Sequence, residues 1–156
     1  MRPVVVIGLG NLLLSDEGVG VHVIRALEEQ AERFPDVDLL DLGGGGMSVL
    51  HAISGRRKAI LVDCALMGEP PGMLRRFAPE DIRTVKALSG FSLHEGDLVR
   101  LLELSRELGQ APEEVVVFGI QPAHVFPGQE LSPALQGRLQ EYVDRVVAEL
   151  GSAAPA

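Results

Sequence analysis

The stretch that most constrains this chain runs from Pro3 to Gly18: Pro3-Val4-Val5-Val6-Ile7, then Gly8-Leu9-Gly10-Asn11-Leu12-Leu13-Leu14-Ser15-Asp16-Glu17-Gly18. A continuous apolar run closed by glycines reads as a buried strand ending in a tight turn, with an amphipathic helix after it. Gly8-x-Gly10 matches the start of a dinucleotide fingerprint, but Leu13 stands where the third glycine belongs. That glycine permits close helix–strand packing, so its loss weakens the nucleotide reading. In its place the turn carries two adjacent carboxylates, Asp16 and Glu17, which disfavour a pyrophosphate and suit a cation.

The same alternation continues along the chain. Val37–Leu42, Ala59–Asp63, Met73–Phe77 and Val115–Ile120 read as further strands. Helical spacing of apolar residues places helices at Glu17 to about Arg33, around Met47–Ser54, after Phe77, at Asp97–Leu108 and at Pro133–Leu150. Gly20 falls on the apolar face of the first helix and marks a close-packing point against the sheet. Strands alternating with helices predict a single three-layer α/β domain over residues 1–150, a mostly parallel twisted sheet with helices on both faces. Residues 151–156 read as a disordered tail.

Composition removes several functions. The formal charge of −8 argues against nucleic acid or an anionic membrane as the main partner. The basic cluster Arg56-Arg57-Lys58 reads as a solvated loop before a strand. No apolar run reaches the roughly 18 residues of a membrane-spanning helix, and no signal peptide is expected before so early a strand. One cysteine, Cys64, forms no internal disulfide, which fits a cytoplasmic protein.

Open α/β sheets place their chemistry beyond the carboxyl ends of the strands. That rule selects Glu17 after the first strand, Asp63 at the end of the third, and His94 in a loop before a helix. Two carboxylates and an imidazole make a divalent-metal site with positions left for water or substrate. Each also has a plainer explanation: Asp16 or Glu17 as favourable charge at a helix start, Asp63 as a loop cap, His94 as a surface residue. Neither a Gly-x-Ser-x-Gly elbow nor a His-Glu-x-x-His helix is present. Cys64 is a poor nucleophile beside Asp63, because a neighbouring carboxylate raises a thiol's pKa. His22, His51 and His124 read as packing or surface residues before ligands, His124 also as a residue able to line the cleft.

Gly8-x-Gly10-Asn11-x-Leu13-x-x-Asp16-Glu17-Gly18-x-Gly20 resembles the N-terminal motif of the nickel–iron hydrogenase maturation endopeptidases. Asp41 with the glycine turn ending at Gly46, Asp63 with Pro71-Gly72, and Ser92-Leu93-His94-Glu95-Gly96-Asp97-Leu98 follow in the family's order. Gly119-Ile120-Gln121-Pro122 and Leu131-Ser132-Pro133 resemble its C-terminal features. The resemblance implies an endopeptidase that removes a C-terminal extension from the hydrogenase large-subunit precursor after nickel insertion. By matching positions it implies nickel contact by Glu17, Asp63 and His94. The chain departs from the family's Asp-Gly-Gly-Thr-x-Gly turn, since Gly44 replaces the threonine. Asp41 either assists catalysis or substrate recognition, or holds the turn.

A ligand set dominated by oxygen holds free nickel only modestly beside thiolates. The metal is therefore expected to arrive with the substrate rather than reside permanently in the enzyme. Two other readings stay open on sequence: a noncatalytic metal-dependent assembly chaperone for the same precursor, and a nucleotide-binding α/β module using Gly8-x-Gly10.

Overall fold

The computed structural model describes residues 1–81, 92–93 and 98–152. Its strands are β1 (Val4–Gly8), β2 (Val37–Asp41), β3 (Lys58–Leu66), β4 (Leu74–Phe77), β5 (Ser92–Leu93) and β6 (Glu114–Ile120). Its helices are α1 (Val19–Glu28), α2 (Met47–Ile53), α3 (Leu98–Glu107), α4 (Pro133–Gln136) and α5 (Leu139–Ser152). Five strands lie side by side in the order β2-β1-β3-β6-β4, parallel except for β4, which runs antiparallel on the β6 edge. The α/β single domain with a mostly parallel sheet is thus the fold the alternation implied.

Strand periodicity explains the three layers. Side chains alternate across a strand, so Val4 and Val6 pack with Val23 and Ile24 of α1 and Tyr142 and Val143 of α5. Val5 and Ile7 point the other way, onto Val49 and Ile53 of α2 and Leu98 and Leu102 of α3. A strand covered on both faces must be apolar at every position, and Val4 to Ile7 is.

Several boundaries move, each for a physical reason. The first helix does not run from Glu17 to Arg33. A separate 3-10 turn, Ser15–Gly18, precedes α1, which stops at Glu28, and a second 3-10 turn occupies Ala31–Arg33. Glu28 and Glu29 at its carboxyl end oppose the helix dipole there. The last helix divides at Gly137, a weak helix former, into α4 and α5. It then extends through Gly151 and Ser152, while 153–156 of the expected tail lie outside the described residues. Leu108 falls beyond the end of α3 and is exposed. The helical stretch expected after Phe77 begins at residues 79–81, and its continuation lies outside the described residues.

The Arg56-Arg57-Lys58 cluster is not a solvated loop. Arg56 is buried, and its guanidinium donates to the Ala52 and Arg2 carbonyls and to Asp38. Lys58 is 1% exposed, with Nζ 2.6 Å from Glu149 Oε2 and 3.3 Å from Glu114 Oε1. Arg76 Nε lies 2.7 Å from the other Glu149 oxygen. These charges tie β3, β4, β6 and α5 together at the end of the sheet away from the carboxyl edge, and a buried lysine is tolerated only with such partners. Among the described residues no helix is long and apolar enough to cross a membrane.

Candidate functional site

Backbone register gathers the carboxyl ends of three parallel strands. Gly8 lies opposite Asp41 on one side and Val62 on the other, so Asp63 stands one residue beyond the last β1 pair. Asp63 does not end its strand as expected, because β3 runs on to Leu66, where β5 pairs with it. Two glycines then bring the start of α1 onto that edge. A Cβ at Gly20 would sit 2.2 Å from the Val62 carbonyl oxygen and 2.6 Å from that of Leu9, so only glycine lets α1 approach β3 so closely. Gly10 has φ +126°, and a Cβ there would meet the Glu17 carbonyl oxygen at 1.9 Å. The glycines of the motif thereby seat the turn that carries Glu17 beside β3 at Val62.

Glu17 is half-buried and shares with Asp41 a cleft of about 450 Å³, also lined by Asn11, Leu12, Val21 and Gly43. Asp41 ends β2 with its carboxylate exposed, and Oδ1 accepts the Gly43 N–H at 3.0 Å, which holds the glycine turn. Asp63 is completely buried. Burial, and then the carboxylates of Asp63, Glu17 and Asp16, push the Cys64 thiol well above its ordinary pKa. Three carboxylates therefore bear on one buried sulfur, and Cys64 is no thiolate nucleophile.

His94 lies outside the described residues. The strand that leads to it does not: β5 pairs antiparallel with the end of β3, Leu93 opposite Ala65 and Ser92 opposite Leu66. The chain thus reaches the residue before His94 two positions beyond Asp63 along the same edge. Among the described residues no group of three His, Cys, Asp or Glu side chains is arranged to hold a metal ion. Of the expected ligand set, only Glu17 and Asp63 are described, and both offer hard oxygen donors.

In the sequence Asp16 reads as one of two carboxylates suited to a cation, or as favourable charge at a helix start, and the structure gives it another task. It is fully buried: Oδ1 accepts the Ser132 N–H at 2.7 Å. Oδ2 accepts the Ser132 hydroxyl at 2.7 Å and the Ala123 and His124 N–H groups at 2.9 and 3.3 Å. Burial opposes its ionisation, but these donors outweigh it and lower its pKa. His22 is half-buried in α1, and burial lowers its pKa over the opposing effect of the nearby Gln129 backbone, which belongs to the same loop. The Gln121 side-chain oxygen accepts the Met67 N–H at 2.7 Å, tying the end of β6 to the end of β3. His124 is exposed and stacks on Phe126 at 4.3 Å between ring centroids.

Fold and site together define an α/β protein whose acidic cleft opens at the carboxyl edge of a parallel sheet. The hydrogenase maturation protease family model matches residues 21–149. The chain is 31% identical over 143 residues to the hydrogenase expression/formation protein HoxM of Cupriavidus necator, covering 91% of this chain and 71% of that protein. It is 30% identical over 149 residues to the hydrogenase 2 maturation protease of Escherichia coli, covering 94% and 90%. Its fold superimposes on the hydrogenase maturating endopeptidase HybD from E. coli with a TM-score of 0.85 at 27% identity, over 99% of this chain and 94% of that one. The chain belongs to the hydrogenase maturation protease family and is a maturation endopeptidase.

Proposed function

We propose that this endopeptidase removes the C-terminal extension of a nickel–iron hydrogenase large-subunit precursor, and that Glu17, Asp63 and His94 recognise nickel already held by that substrate. The carrying observation is the close backbone approach at Gly20, which seats the Glu17 turn against Val62 of β3, next to Asp63. The β5 pairing, which leads the chain toward His94 along the same edge, supports the third ligand. Asp63 is wholly withdrawn from water, where an ionised carboxylate is costly and an approaching cation stabilises it. Oxygen donors bind nickel weakly against thiolates, so a nickel ion held by substrate sulfur can be sensed without being extracted.

The metal, once docked, supplies positive charge beside the peptide to be cut. This chain's own residues seat and orient it. Asp41, its carboxylate fixed by the Gly43 N–H at the mouth of the same cleft, is our candidate to assist catalysis. We assign the work to residues 1–150 as one catalytic domain and place it in the cytoplasm, which the single cysteine suits. In a processing assay with nickel-loaded precursor, Glu17→Gln, Asp63→Asn and His94→Ala are each expected to abolish cleavage while remaining folded. Full processing by all three overturns the proposal.

A further inference from the structure

Among the described residues the exposed large apolar side chains are distributed unevenly. Leu13 follows β1, Met47 opens α2 after β2, Leu66 ends β3, and Val125 and Phe126 follow β6, so five of the seven lie at or beyond the carboxyl ends of strands. Only Met1 and Leu108 lie elsewhere. Exposed apolar groups gathered on one edge of an acidic chain mark an interaction surface. Three of them sit on one braced unit: Leu13 is 58% exposed, Val125 45% and Phe126 51%.

The bracing is extensive for a surface loop. Ser15 donates its N–H to the Gly128 carbonyl at 2.8 Å and its hydroxyl to the Phe126 carbonyl at 2.8 Å. Gly128 N–H returns to the Leu13 carbonyl at 2.9 Å. Asp16 takes the Ala123 and His124 N–H groups from the same loop, and Ser132 beyond it. The backbone is fixed while the apolar side chains reach solvent, so the loop-ordering part of the cost of binding is already met. The unit is continuous with the cleft, because Asp16 and Glu17 are consecutive and Leu12, beside Leu13, lines it.

We propose that Leu13, Val125 and Phe126 form a preformed docking platform for an apolar surface patch of the protein substrate, held in register with Glu17 by Asp16. The platform rests on the proposed processing reaction, since whatever protein enters the Glu17 cleft must lie across this rim. It sets affinity for the precursor and takes no part in bond cleavage.

The test is steady-state processing of nickel-loaded precursor by Leu13→Ser, Val125→Ser and Phe126→Ser, with sedimentation at the assay concentration. The three side chains are 45–58% exposed and outside the core, so the variants are expected to stay folded, and thermal midpoints check that. The expected result for Phe126→Ser is a KM raised about tenfold or more, with kcat unchanged. Unchanged KM in all three variants overturns the platform, as does a loss confined to kcat. A wild-type dimer that the substitutions dissociate, with KM unaltered, overturns it in favour of a second copy of this chain. Glu17→Gln, run alongside, separates the two proposals: normal kcat in that variant refutes the nickel site and leaves the platform to be judged on KM.

Discussion

Replacing Gly20 by alanine tests how the two carboxylates are brought together. The new methyl would stand 2.2 Å from the Val62 carbonyl oxygen, 2.6 Å from the Leu9 carbonyl oxygen and 2.9 Å from the Leu9 nitrogen. All three are backbone atoms of the sheet edge and its turn, so no side chain can swing away. Opening the first contact from 2.2 Å to an ordinary 3.4 Å moves α1 from β3 by about 1.2 Å. Glu17 lies one helical turn before Gly20, and Asp63 directly follows Val62, so the same movement separates the proposed ligands. Overpacking of this kind destabilises by about 1–3 kcal/mol, partly offset by alanine's better helix propensity of about 1 kcal/mol. A misplacement near 1 Å lowers turnover by about 10²-fold. Chemical denaturation and processing of nickel-loaded precursor measure the two effects. Gly151→Ala, whose Cβ meets nothing within 4 Å, is the control and is expected to leave turnover unchanged. Wild-type stability and turnover in Gly20→Ala would refute the packing argument.

Other substitutions probe separate parts of the molecule. The Glu149 carboxyl is held at a pKa of about 2, against an ordinary 4.5, by Arg76 first and Lys58 as well, over the opposing effect of burial. Because the folded value is the lower one, this stabilisation is present above pH 4.5 and disappears as pH falls toward 2. Its size is about 3 kcal/mol, and acid unfolding of Glu149→Gln should lack that part of the wild-type pH dependence. Asp41→Asn keeps an oxygen to accept the Gly43 N–H but loses the charge. Most processing is expected to be lost with the fold intact, and full activity would return Asp41 to turn-holding alone. Cys64→Ala is expected to process precursor at the wild-type rate, since the thiol is buried and its pKa raised. A large loss of kcat there would reopen the nucleophile question.

What the sequence made legible was local. Val4 to Ile7 is apolar at consecutive positions, and the i, i+3, i+4 spacing in α1 and α5 is read from neighbours alone. Gly20 was also legible, because its place on the apolar face of a helix leaves packing as its use. Lys58 was not: its partners are 56 and 91 residues away, so local context shows only a basic cluster. Asp16 escaped for the same reason, its donors lying more than 100 residues downstream. The antiparallel direction of β4 has no local signature either, since Leu74–Phe77 carries the same residue types whichever way it runs. Glu17 and Asp63 were selected by the rule for open α/β sheets, and register with backbone contact brings them to one edge. His94 rests on the motif and on the strand before it.

The central claim is that cleavage depends on nickel carried by the substrate and sensed by this site. Intact mass of a matched large-subunit precursor, incubated with the enzyme with and without nickel loading, tests it most directly. The expected result is loss of a single C-terminal peptide from the nickel-loaded form only, and no loss with Glu17→Gln. Equal cutting of both forms, or cutting by Glu17→Gln, would contradict it.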